Sequence, residues 1–329
     1  MSFLRKNGHA IGLAGILLLA AALNMYHLAN EGMANTYYAA GVKSMLESWH
    51  NFFFNSYDPG GFITIDKPPL GFWIQTLSAK LFGFNGAALI WPQAVAGVLS
   101  VGLLYVLVRQ GFGRTAGLIA ALVLAVTPIA VAAARNNTID NLLVLCMLIA
   151  AWMITRAVEE GKLRWSLLSA AVAGLGYNIK MMEAFMALPA FYLIYLLAPK
   201  PGWKQKLKHL GAATVILAVV SLSWTVIVDS VPTDARPYIG STKTNSVMEL
   251  ALQHNALERL EGKKGQDGGT EVAGQGTGTG PGSQTSGASR MTAIATKTQL
   301  RTVSRRLRSP PAIPLSPPEP RKGCGRLNR

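Results

Sequence analysis

The sequence has little with which to build a soluble domain or a metal site. Its 329 residues include two cysteines, Cys146 inside an apolar run and Cys324 near the C-terminus, so neither a disulfide framework nor a cysteine-based metal site is readable. The five histidines, His9, His27, His50, His209 and His254, never fall at metal-ligand spacing, which leaves a membrane zinc hydrolase without support. A possible divalent cation stays open; no other cofactor is indicated. No Gly-rich phosphate loop and no Gly-x-Ser-x-Gly elbow occurs, which argues against a soluble nucleotide donor in a Rossmann site. Charge is scarce as well. Asp, Glu, Lys and Arg make up 14% of the chain against 50% hydrophobic residues, the balance of a polytopic membrane protein.

Acidic residues are scarcer than basic ones, 16 against 31, for a net charge of +15. On a soluble protein that excess would suggest nucleic acid. Here 12 Lys and Arg against 3 Asp and Glu, a balance of +9, fall after residue 262. Much of the remainder lies in short loops between apolar stretches, which fits the positive-inside rule and gives no nucleic-acid footprint.

The apolar stretches predict an all-α polytopic membrane protein with about seven spans, near 10–29, 88–108, 115–134, 141–157, 165–178, 184–198 and 209–228. The fifth and sixth are short for a bilayer that needs about 20 helical residues. A basic start, Arg5 and Lys6, followed by a long apolar run with no persuasive small-x-small site, favours an uncleaved first span over a signal peptide. Gly117, Gly174 and Gly176 offer places for close helix approach.

Basic residues then set the orientation. Arg5 and Lys6, Arg109 and Arg114, Arg156 with Lys162 and Arg164, and Lys200 with Lys204, Lys206 and Lys208 all fall on one side, which the rule makes cytoplasmic. The connections 30–87, 135–140 and 178–183, and the residues just after Ser230, are therefore expected outside. Within 30–87, apolar spacing predicts two interfacial helices, Thr36 to Trp49 and Leu70 to Phe82, joined by an ordered loop from Asn51 to Lys67. Trp49, Phe52, Phe53, Phe54, Tyr57, Phe72 and Trp73 are expected to form an aromatic belt at headgroup depth. The domain expectation is a membrane unit over 1–261 and a disordered tail over 262–329, rich first in Gly and then in Arg and Pro.

Polar groups gathered at one membrane face point to a site. In Asp66-Lys67-Pro68-Pro69 the prolines forbid a helix and impose an extended entry. Asp66 is suited to base or cation-ligand work and Lys67 to a phosphate contact, while a helix cap with a solvated lysine is the plainer alternative. Asp140 heads the fourth span, where capping alone would justify a carboxylate. Arg135 in the same turn has the fork suited to phosphate and opposes the positive-inside bias. Lys180 and Glu183, three residues apart, read as an ordinary ion pair or as a wall with a cation for phosphate.

The order of these features resembles the integral-membrane glycosyltransferases of family 39, relatives of protein O-mannosyltransferases and the lipid A aminoarabinose transferase. The carriers are Tyr37-Tyr38 in the outer loop, Asp66-Lys67-Pro68-Pro69-Leu70, Arg135 to Asp140 heading a span, and Gly176-Tyr177-Asn178-Ile179-Lys180. The resemblance covers about residues 8–260. It implies a GT-C fold, an external site, a polyprenyl-phosphate sugar donor among the membrane lipids, and displacement of polyprenyl phosphate by an acceptor of unspecified class. On it, Asp66, Asp140, Asp58 and Glu31 are the candidate acids, and Lys67, Arg135, Lys180, Tyr37 and Tyr38 the candidate substrate contacts. Many members carry Asp-Glu before the tyrosine pair, where this chain has Asn35-Thr36, so the base stays open among Asp66, Asp58 and Glu31. Relatives also continue into further spans, whereas this tail looks like an out-of-frame continuation of a truncated product. The competing function is a transporter or flippase fragment, which would place ionisable residues at the bilayer midplane. A non-catalytic membrane scaffold is the third reading.

Overall fold

The structure is a computed structural model that describes residues 2–252, with side chains from Gly8 onward. The tail expected over 262–329 lies outside the described residues.

Among the described residues eleven α-helices follow one another: α1 (Ser2–Met25), α2 (Thr36–Glu47), α3 (Trp49–Phe54), α4 (Leu70–Phe82), α5 (Gly86–Val126), α6 (Pro128–Ala134), α7 (Asp140–Glu160), α8 (Leu163–Lys180), α9 (Leu188–Leu197), α10 (Trp203–Ser230) and the single turn α11 (Val247–Glu249). Short 3-10 turns cover Leu28–Glu31 and Met181–Ala187. No extended ladder exists among the described residues, only two isolated bridges, Ser56 with Thr64 and Ile63 with Tyr238.

Five helices are long and apolar enough to cross a membrane, which makes this a multi-pass membrane protein. The sequence predicts seven, and the difference comes from two helical runs that fold back on themselves. In α5 the chain breaks at Gly113, whose φ of 86° is open to a residue without Cβ. Beyond the break, Ala121 and Ala125 pack with Tyr105 and Val101, so the two arms lie side by side. The run 163–197 folds at Met181, and Trp165 from before the fold and Tyr192 and Leu196 from after it pack on one cluster around Tyr195. Counting each folded run once gives five spans among the described residues, and the expected count of seven is not reached.

The bundle is built outward from α5, which packs on α1 and α7, while α8 packs between α7 and α10. Gly174 lets α8 approach α10 closely, since a Cβ there would stand 2.8 Å from Val220. One end of the bundle is basic. Glu160 collects Arg156, Lys162 and Arg164, and Gly161 abuts Lys200 and Pro201, so loops assigned to one side by their basic residues do share an end.

At the other end, α2, α3 and α4 form a cap. The predicted helix over Leu70–Phe82 is present residue for residue. The first predicted interfacial helix is instead two. Ser48 is extended (φ −152°) and its hydroxyl accepts the Asn51 amide, which starts α3 over residues expected to be loop. The aromatic belt divides for the same reason. Trp49 is 76% exposed, whereas Phe54 and Phe72 turn inward and are buried in the cap's core.

Candidate active site at the capped end

Asp66 and Lys67 sit in the loop that enters α4. Pro68 and Pro69 hold that entry, and Pro69 is the N-cap residue of α4 with no side-chain cap bond, so the carboxylate of Asp66 is not spent on capping. Instead Lys67 Nζ donates to Asp66 Oδ2 at 2.7 Å, with the two residues 3% and 9% exposed. Asn55, itself left-handed at the end of α3, donates to the Lys67 carbonyl at 2.9 Å and fixes the loop from below. With both side chains buried and bonded to each other, the pair is a built ion pair and not a solvated lysine.

Gly71, the second residue of α4, carries this loop onto the rest of the site. A Cβ at Gly71 would lie 2.5 Å from Ile139 Cγ2 and 3.6 Å from Ile179 Cγ2. Ile139 immediately precedes Asp140, and Ile179 immediately precedes Lys180. The missing side chain thus lets the Asp66-Lys67 loop lie against the N-terminus of α7 and the C-terminus of α8. There Lys180 Nζ donates to Asp140 Oδ1 at 2.6 Å and lies 3.6 Å from Glu183 Oε1. The expected local pair, Lys180 with Glu183, is therefore the longer of two contacts, and the shorter joins residues 40 positions apart. Asp140 keeps 40% of its side chain exposed, against 12% for Asp66.

Arg135 leans the other way. Its guanidinium grips Glu31 through Nε at 3.0 Å and Nη2 at 2.5 Å, and Nη1 donates to the carbonyls of Leu23 and Tyr26 beyond the end of the α1 run. Glu31 and Arg135 thereby tie α1 to the turn before α7. Asn35 and Asn137 complete the tie: the Asn35 amide donates to Asn137 Oδ1 at 2.8 Å, and Asn137 Nδ2 donates back to the Asn35 carbonyl at 2.9 Å. Asn35 Oδ1 also caps α2 by accepting from Tyr38. The reciprocal bonds use the Asn35 main chain and the cap uses only its side-chain oxygen, so an aspartate at this position would keep both.

Asp58 serves its own turn, accepting from the Phe62 and Ile63 amides at 3.0 and 2.9 Å. Tyr37 stacks on Tyr57 with ring centres 4.8 Å apart, and Tyr38 tilts against Phe72 at 4.9 Å. Among the described residues no three His, Cys, Asp or Glu side chains converge as a metal-ligand group.

Two supporting features went unseen in the sequence. Gln75, buried in α4, donates to the Asn137 carbonyl at 2.6 Å, and Gln93, buried in α5, accepts the Leu142 amide at 3.3 Å. An amide side chain inside an otherwise apolar helix was the available signal for both. The other is residues 231–250, which clamp the Asp58–Leu70 loop. Thr64 donates to the Tyr238 carbonyl at 2.9 Å, Tyr238 to the Phe62 carbonyl at 2.8 Å, and Gly240 to Thr64 Oγ1 at 3.0 Å. Asp229 anchors the clamp by accepting from Arg236, Ser246 and the Val247 and Met248 amides. No motif in that stretch betrays the pairing.

This arrangement matches known proteins. Residues 66–224 fit the family described as dolichyl-phosphate-mannose-protein mannosyltransferase, from Asp66 through the span of α10. These residues belong to that glycosyltransferase family. Two proteins of Bacillus subtilis (strain 168) are similar to the chain: "Putative mannosyltransferase YkcB", 51% identical over 77% of this chain and 35% of its own length, and "Putative mannosyltransferase YycA", 52% identical over 75% and 36%. The chain thus spans about a third of the length of these mannosyltransferase-family relatives. Among solved structures, ArnT from Cupriavidus metallidurans in the apo state superposes with a TM-score of 0.52 at 23% identity, over 68% of this chain and 42% of that one, a likeness of fold. The family segment therefore has the GT-C architecture, with its capped end formed by the loops before α4 and around α7.

Proposed function

We propose that the chain forms the donor-binding part of a membrane glycosyltransferase that moves a sugar from polyprenyl phosphate to an acceptor at the outer face of the plasma membrane. The N-terminus is cytoplasmic in this reading, because the basic end of the bundle takes the inner side. One observation carries the proposal. The close packing at Gly71 brings the loop of the buried Asp66-Lys67 pair against the helix ends that carry Asp140 and Lys180. Two cations and two carboxylates at the membrane face are what the reaction asks for. A lipid phosphate needs cations at its leaving oxygen, and the acceptor hydroxyl needs a carboxylate to take its proton.

Exposure ranks the candidate acids. Asp140 is the most open of the paired carboxylates near Lys67 and is assigned as base. Asp66 holds Lys67 in place, and Lys67 and Lys180 contact the phosphate. Glu31, through Arg135, and Asp58, through its turn, act as positioning groups, with Tyr37 and Tyr38 as a wall toward the sugar. The membrane unit over 1–261 and a separate tail remain our reading of the domains.

The test is retention of tritiated polyprenyl-phosphate mannose and glucose by the purified chain in nanodiscs, followed by the appearance of label in the lipid and protein fractions. Retention above that of phosphatidylglycerol is expected, with loss of about tenfold or more in Lys67→Met, as for a charge-assisted phosphate contact. A folded wild-type chain that retains neither donor above background sinks the reading.

A further inference from the structure

Between α1, α5, α6 and α7 lies a cleft of about 170 Å³ that reaches Asp140 from the side. Its outer walls are apolar, with Leu124, Ile129 and Val144 among them; Val144 is exposed on the candidate span α7, and Ile129 is exposed on the short α6 beside it. The inner end is polar, formed by Asn24, Asn141 and Asp140. Gly97 makes room for this end: a Cβ there would stand 2.6 Å from Asn24 Nδ2 and 3.0 Å from Asn141 Nδ2.

The two amides are poorly served by the protein. Asn24 is 5% exposed and its side chain has no hydrogen-bond partner among the described residues, and the Asn141 side chain makes one long donation, 3.4 Å, to the Gln93 carbonyl. A carboxamide buried among spanning helices without a partner is costly, because neither lipid nor apolar side chains can bond it. The side chains that line the cleft include a carboxylate and two amides and no cation. That set offers donors and acceptors to neutral hydroxyls, while a carboxylate with no cation in the lining disfavours a phosphate.

We infer that the cleft takes a lipid with an uncharged, polyhydroxylated headgroup, entering sideways from the bilayer, and that this lipid is the sugar acceptor. The inference rests on the glycosyltransferase reading above. Asn24 and Asn141 hold the headgroup hydroxyls, and the apolar walls take the start of the chains. In the transfer step one headgroup oxygen bonds to the anomeric carbon of the donor. The bond from that carbon to the phosphate oxygen breaks, its electron pair leaves on polyprenyl phosphate, and the hydroxyl proton passes to Asp140.

The experiment is native mass spectrometry of the full chain released from nanodiscs that contain monoglucosyl diacylglycerol, phosphatidylglycerol or undecaprenyl phosphate. Preferential retention of the glucosyl lipid is expected, with free glucose failing to compete. Asn24→Leu should lower that retention at least tenfold while leaving undecaprenyl phosphate retention unchanged. Val144→Trp, which narrows the mouth at an exposed position and leaves the amides intact, should do the same if Asn24→Leu fails to fold. Lys67→Met should have the opposite profile, so that loss of the donor site and loss of the acceptor site are read separately. Equal retention of glucosyl lipid by wild type and by folded Asn24→Leu or Val144→Trp, or a wild-type preference for phosphatidylglycerol, overturns the inference; so does a cleft that retains neither lipid and holds only water.

Discussion

Replacing Gly71 by alanine tests the junction on which the site depends. The added Cβ would stand 2.5 Å from Ile139 Cγ2 and 2.9 Å from Ile139 Cβ, distances at which one side must move. Ile139 cannot give way easily. It is β-branched, buried, and packed in the same cluster as Phe72 and Ile179. Overpacking of this kind costs about 1–3 kcal/mol, or roughly 5- to 150-fold in the folded-to-unfolded ratio. Unfolding by SDS titration in mixed micelles, followed by tryptophan fluorescence, measures that cost. Ile139→Ala alone opens a cavity worth about 2–5 kcal/mol, but in Gly71→Ala/Ile139→Ala the 2.5 Å contact with Cγ2 is gone and only the 2.9 Å approach to the remaining Cβ has to relax. The double variant should therefore be more stable than the sum of the single losses by about 1–2 kcal/mol. Donor retention should follow the same order, because the packing fault shifts Lys67 relative to Asp140 and Lys180. Unchanged stability and retention in Gly71→Ala, or strict additivity in the double variant, would refute the claim that this contact aligns the two ion pairs.

Removing Lys67 takes the ion-pair partner from a buried carboxylate, so Lys67→Met should lose about 3–5 kcal/mol of stability, and Asp66→Asn/Lys67→Met should recover much of it in the same titration. Gly240→Ala would drive a Cβ to 2.5 Å from the Thr64 carbonyl oxygen; limited proteolysis should then cut the loop between Asp58 and Thr64 faster than in wild type, with the spanning helices intact. The carboxyl of Glu249 is held below the usual range by the Thr244 hydroxyl and by the Lys243 and Thr244 amides. A depressed folded value stabilises the turn above the ordinary glutamate range near about pH 4 and loses that contribution as pH falls through the folded value. Hydrogen exchange at the Lys243 and Thr244 amides should accelerate on acidification relative to neighbouring amides, and Glu249→Gln should exchange fast and independently of pH once intrinsic rates are removed.

Much of the architecture follows from composition and periodicity. Apolar length marks the spanning segments, because backbone groups in lipid must bond within their own helix. Basic residues sort the loops into two ends, and the structure joins Gly161 to Lys200 at one of them and Glu31 to Arg135 at the other. The Leu70–Phe82 helix was legible for a local reason, since Pro68 and Pro69 fix its start and Gly83 its end. The split between α2 and α3 was less so: a run of Trp and Phe carries no period that distinguishes a helix from an ordered loop, and the decision fell to one serine cap.

Residue types told that Asp66, Lys67, Arg135, Asp140 and Lys180 were worth attention, because charge beside long apolar segments is costly without a use. Their pairing was decided elsewhere. Lys180 has Glu183 within one turn, yet its shorter bond goes to Asp140, 40 residues away, because α8 ends where α7 begins. Asp58 and Asp66 share a loop and look alike in sequence; the fold spends one on its own turn and buries the other against Lys67. Asn24 and Asn141 were invisible as a pair until α1, α5 and α7 met at Gly97. A sequence fixes which groups must find partners, since burial without one is expensive. Which partner each finds depends on where helices far apart in the chain come to rest, and only the packed bundle decides that.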